Sequence, residues 1–190
     1  MALATKNNMA LPSRPQTFAY ENCRELLMKL EREIERYLSV AGSQEDDQSK
    51  VMDVVDTLKD AAFNASVTAW HLADWVFHDL TPEQRKQLNL NRKSDLQERA
   101  RQCPALRLCE LACAASKHWV VSNENIQDDD VEIIVSGDPG WMVYFREKGQ
   151  EIPAQLIFEQ AFAFWNEFIR QNEVAPGDKE ESDQSPDRSP

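Results

Sequence analysis

Three polar side chains interrupt an otherwise apolar stretch of this chain: His71, Asp74 and His78, three and four residues apart. On a helix that spacing brings all three to one face. Two imidazoles and a carboxylate on one face could ligate a metal ion, or could form a general-base pair in which Asp74 orients a histidine. The pattern H-x-x-D-x-x-x-H is not an established metal spacing, and no second helix supplies an evident further ligand. A polar strip, hydrogen-bonded on an aromatic bundle, is the plainer account. Trp70 and Trp75 beside it read as core aromatics with a polar handle rather than as stacking platforms.

A second candidate is Ser116-Lys117-His118, at the end of a helix that begins near Pro104. Lys and His at a helix C-terminus complement the negative end of the macrodipole. The functional alternative is contact with phosphate or RNA, with His118 as the acid or base and Lys117 as its charge partner. A third is the basic segment formed by Arg85, Lys86, Arg92, Lys93, Arg99 and Arg101, in which only Glu83, Asp95 and Glu98 oppose the positive charge. It could hold nucleic acid. It lacks the interleaved aromatics of a single-strand platform, so a solvated face explains it as well. The four cysteines, Cys23, Cys103, Cys109 and Cys113, contain no CxxC pair and read as buried reduced thiols. Cys109 and Cys113 share a helical face, which leaves half of a metal site as the alternative. No glycine-rich phosphate loop, GxSxG elbow or H-E-x-x-H occurs, and no cofactor is expected.

Three stretches carry a resemblance: residues 63–76, FNASVTAWHLADWV; residues 103–109, CPALRLC; and Ser116-Lys117-His118. In these the chain resembles a group of uncharacterised bacterial helical proteins, over most of its length from the second helix to the last. The resemblance implies kinship without an activity. That group is in turn loosely similar to the HEPN-type bundles found among ribonucleases and accessory proteins of toxin and phage-defence systems. Their hallmark is an arginine followed, after four to six residues, by a histidine. His118 would be that histidine, and this chain departs from the pattern by placing Leu111, Ala112 and Cys113 where the arginine would stand. It also has Glu110, Leu111 and Ala114 where the group carries Arg, Asp and Asn.

These side chains must be held by helices. In residues 17–40 the apolar positions Cys23, Leu26, Leu27, Leu30, Ile34, Tyr37 and Leu38 recur at intervals of three and four, with charges between them, which predicts an amphipathic helix. A long helix from about Lys50 to about Asp79, apolar on more than one face, should be central. Thr81-Pro82-Glu83-Gln84 and Ser94-Asp95-Leu96-Gln97 each pair a hydroxyl with a Gln three residues on, predicting capping boxes for two short helices. Pro104 opens the next helix, to about His118. Residues 131–135 and 141–145 are β-rich runs around Ser136-Gly137-Asp138-Pro139-Gly140, a hairpin signal. Glu147-Lys148-Gly149-Gln150 is a further turn, and Pro153 opens the last helix. The expected fold is mainly α, a bundle of about four main helices with a small β-hairpin on its side.

Composition narrows the partners. A net charge of -12 opposes general affinity for nucleic-acid backbone, and no uncharged apolar run approaches the roughly 18 residues of a membrane span. The expected organisation is a disordered N-terminus (1–15), one helical domain (16–172) and a disordered acidic tail (173–190). The tail holds Asp178, Glu180, Glu181, Asp183 and Asp187 against Lys179 and Arg188. No secretory h-region precedes the domain, so a cytoplasmic location is expected, with no membrane. With no complete catalytic constellation, the expected function is that of a non-catalytic interaction or accessory protein with a protein partner. The alternatives are a HEPN-like ribonuclease using His118, with RNA as the partner, and a metal-binding bundle using His71, Asp74 and His78.

Overall fold

The computed structural model of the protein describes residues 19–45, 47–115, 131–138 and 140–174. Within them six helices and one sheet follow in the order α1 (Cys23–Val40), α2 (Gln48–Asp79), α3 (Pro82–Gln87), α4 (Lys93–Arg101), α5 (Pro104–Ala115), β1 (Val131–Ser136), β2 (Met142–Glu147), β3 (Gln150–Pro153) and α6 (Ala154–Gln171). The protein is mainly α: four main helices, α1, α2, α5 and α6, with a small antiparallel sheet. The ends expected to be disordered, up to residue 15 and from 175 on, and the Lys117 and His118 pair lie outside the described residues.

The amphipathic segment predicted from residue 17 starts its helix at Cys23, because Asn22 caps it. Its side chain accepts from the Glu25 N–H at 3.0 Å, and Asp79 from the far end of α2 accepts from the Cys23 N–H at 2.6 Å. Two of the orphan donors of a helix N-terminus are thereby satisfied. At 32 residues, α2 is about 48 Å long at 1.5 Å per residue. It is the central helix, touching α1, α4, α5, α6 and β2. Alanines at 61, 62, 65, 69 and 73 are all buried on it, and such short side chains let neighbouring helices approach closely.

The first of the two capping boxes forms as expected. The Gln84 N–H donates to Thr81 Oγ1 at 3.2 Å and the Thr81 N–H to Gln84 Oε1 at 2.8 Å. The second differs: α4 begins one residue before Ser94, and Asp95 closes its first turn by accepting from the N–H groups of Asn91 (2.8 Å) and Arg92 (2.9 Å). A charged acceptor reaching back from the third helical position wins over a hydroxyl, and the two N–H groups hold its carboxyl below the ordinary range.

The hairpin pairs Val131 with Glu147 through Ser136 with Met142. A third strand, β3, was not expected, and it pairs Tyr144 with Pro153 through Glu147 with Gln150. Lys148 and Gly149 have φ of 50° and 79°, the two left-handed residues of a tight hairpin turn. The turn signal at 147–150 is therefore the link between two strands. The sheet is tied to α1 through Tyr37, whose hydroxyl accepts from the Val143 N–H at 3.1 Å and faces the Val143 carbonyl at 3.4 Å. Gly140 passes so close to the loop after α1 that a Cβ there would stand 2.7 Å from the Gly42 carbonyl oxygen. The core runs through Tyr37, Phe145, Phe158 and Trp165, all fully buried. Tyr37 and Phe145 meet Phe158 edge-on, with centroids 5.4 and 6.3 Å apart. The folded part reaches past residue 172: Val174 is fully buried, and its carbonyl accepts from Arg24 Nε at 3.0 Å.

Candidate functional site

His71, Asp74 and His78 lie on the second half of α2, against which α4 and α5 pack. They share the helical face their spacing requires, and each goes to a different neighbour. Asp74 accepts from Lys93 Nζ on Oδ2 and from Gln97 Nε2 on Oδ1, both at 3.0 Å. Both of its oxygens are thus engaged by α4. His71 turns towards α5, with Nε2 3.9 Å from Cys113 Sγ. His78 sits edge-on to Phe77, centroids 6.0 Å apart, and its carbonyl accepts from Arg85 at 3.3 Å. Partial burial, and then the positive charge of Arg85, hold the imidazole below its ordinary range; Lys93 adds to this, while Asp74 and Asp79 oppose it. Among the described residues no group of three His, Cys, Asp or Glu side chains stands close enough to hold a metal ion. His71 and His78 are seven residues apart, about 10 Å along the helix, and the side chains that share a face do not converge.

The cations of the basic segment go to different partners. Arg85 lies over the Phe77 ring at 4.6 Å and Arg99 over Phe168 at 5.4 Å. Lys93 is held by Asp74. Arg101 forms a two-pronged pair with Glu110 at 2.7 and 2.8 Å, reaches Glu98 at 3.0 Å and covers Trp70 at 5.4 Å. Lys86 and Arg92 are exposed, and Arg92 stands 3.6 Å from Asp95. Four of the six cations thus have an aromatic ring or a carboxylate of the fold as partner, the exposed Arg99 among them, which a run of Lys and Arg in sequence cannot reveal. Trp70 is half-buried under Arg101, closer to the core role expected of it than to an open stacking platform.

The four cysteines form no disulfide, and Cys23, Cys109 and Cys113 are buried. Burial, and then the neighbouring Cys103 and Cys113, push the Cys109 thiol far above its ordinary range, which makes it a poor nucleophile. Sequence reasoning missed a second ionic group, between α1 and α2. Glu33 is 4% exposed, and its Oε1 accepts from Lys29 at 3.1 Å and Arg36 at 2.9 Å, while Lys29 also donates to Thr68 at 2.7 Å. The signal was present as Lys29, Glu33 and Arg36 at helical spacings of four and three.

No protein-family model, curated protein or solved structure matches the chain significantly. No helix among the described residues is long and apolar enough to cross a membrane.

Proposed function

We propose that the chain is a non-catalytic interaction protein, an accessory to a protein partner that it grips through the outer face of the first half of α2. One observation carries this: Met52 and Phe63 are 58% and 44% exposed there, among the exposed carboxylates of Asp53, Asp56 and Asp60. Met52, Asp56 and Phe63 run along one side of the helix, and Asp53 and Asp60, two turns apart, run beside them. Asp56 is shared with Lys59 at 3.5 Å, while Asp53 and Asp60 hold no ion pair among the described residues. Large apolar groups beside carboxylates suit an amphipathic segment that carries Lys or Arg next to an apolar stripe.

The test is binding of a synthetic amphipathic helix of leucine and lysine, compared with its glutamate counterpart, by fluorescence anisotropy. Met52→Ser with Phe63→Ser, and separately Asp53→Lys with Asp60→Lys, should each weaken the lysine peptide by about tenfold, roughly 1.4 kcal/mol. Binding unaffected by both pairs of changes would end the assignment to this face. RNA cleavage by the full chain, lost on His118→Ala, would replace the whole proposal with the ribonuclease.

A further inference from the structure

Among the described residues the sheet ends on one side at β1, the outermost strand in the order β1, β2, β3. The helices lie under the other two strands: α2 and α6 pack on β2, and α6 on β3, while β1 packs principally on β2. β1 thus lies at the margin of the bundle: Val131 and Val135 are half-buried against the core, and Ile133 between them is open. Ile133 is the register partner of Phe145 and shares its side of the sheet, yet Ile133 is 49% exposed where Phe145 is 1% exposed.

An edge strand presents a row of backbone donors and acceptors. Proteins usually blunt such edges with proline, lysine, a bulge or a very short strand. β1 reads Val-Glu-Ile-Ile-Val-Ser and has none of these: it is six residues long, regular in register from end to end, and four of its residues are β-branched. Its one charge, Glu132, is already met from the next strand by Arg146 at 2.8 Å.

We infer that β1 pairs antiparallel with the β1 of a second copy of this chain, joining two three-stranded sheets into one of six strands. Sequence and register select the two-fold axis at Ile134. There Ile134 meets Ile134 of the other copy on the outer face, Ile133 meets Val135 on the bundle side, and Glu132 meets Ser136. Like faces meet like faces, and no carboxylate opposes another, which is what stabilises cross-strand pairs. Among the described residues the helices pack principally on β2 and β3, so the outer edge of β1 can take the second sheet, and the two exposed Ile133 side chains enter the cleft between the bundles. A contact of one strand pair is small, so the dimer is concentration-dependent and weak. This inference is independent of the α2 face, which lies on another element.

The experiment is sedimentation velocity of the full chain over a wide concentration range. The expected result is a monomer–dimer equilibrium that Ile133→Lys shifts to monomer by at least tenfold in Kd. Ile133 is half exposed, so an unchanged melting curve will show that the variant is folded. The axis is read separately: under mild oxidation Ile134→Cys should form a disulfide-linked dimer faster than Glu132→Cys, since only position 134 faces itself. A protein monomeric at every concentration overturns the inference, as does a dimer that Ile133→Lys leaves intact or a cross-link that forms equally fast at both positions.

Discussion

Trp165 on α6 and Arg101 on α4 both reach across to α2, but they close very different seams. Trp165 is fully buried among aromatic rings, and its indole N–H donates to the Ala69 carbonyl at 2.8 Å. One polar atom is satisfied, and the rest of the side chain is apolar area removed from water. Arg101 is 26% exposed in its side chain and binds Glu110, which is 10% exposed. In that seam the attraction between charges is offset by what it costs to dehydrate them. The aromatic seam therefore holds the fold, while the ionic seam fixes how α4 and α5 lie on it.

The largest effect should come from the first seam. Trp165→Ala removes the fully buried indole and leaves the Ala69 carbonyl without that donor, at a cost of about 3 to 5 kcal/mol. Urea denaturation measures it, and a loss below about 1 kcal/mol would contradict the central role of Trp165. Arg101→Ala should follow at about 2 to 3 kcal/mol, because it strands the Glu110 carboxylate in a nearly closed pocket. The sharper comparison is Arg101→Met with Glu110→Leu together. If the loss comes from stranding Glu110, the double variant loses much less than Arg101→Ala alone; equal losses would mean that an unpaired Glu110 is not what Arg101→Ala costs.

The Lys93 and Asp74 pair lies at the rim, with side chains 43% and 37% exposed. A double-mutant cycle on Lys93→Ala and Asp74→Ala should give a coupling of about 0.2 to 1 kcal/mol. A coupling above about 2 kcal/mol would mean that the rim is as closed as the Arg101 seam and would erase the gradient between them.

The buried faces of α1 and α2 were legible in the sequence, and the ionic seam was not. Spacings of three and four in α1, and the apolar surplus of α2, announce buried faces because burial has a period. The shared face of His71, Asp74 and His78 was readable for the same reason. Their partners were not, since Lys93 and Gln97 meet Asp74 only after the chain turns back through α3, and Cys113 reaches His71 from 42 residues away. The missed third strand has a local cause. Gln150-Glu151-Ile152-Pro153 carries one strongly β-forming residue, and pairing to β2 overrides that weak propensity. The cap of α4 failed similarly, because an aspartate and a serine compete for the same turn and both are sound candidates.

The smallest effect expected is at His78, and it tests whether the face on which α3 and α4 lie carries net positive potential. His78 has its folded value depressed, by partial burial first and then by Arg85. The unfolded chain, near the ordinary 6.5, therefore binds the proton more readily than the folded protein. Stability linked to His78 is complete above that unfolded value. It falls as pH drops from there through the folded value, and below that it levels off. His78→Gln removes this dependence, so the stability of the native chain minus that of the variant should rise with pH across the window just below 6.5. Glu33 and Asp95 also have depressed values, but as carboxylates they titrate at lower pH and are common to both proteins, so they cancel in the difference. Arg85→Gln supplies the control, because removing the nearest positive charge should narrow the window. Melting curves at closely spaced pH values give the result. A difference that falls with rising pH would mean that Asp74 and Asp79 outweigh Arg85 and Lys93, and that the face is negative.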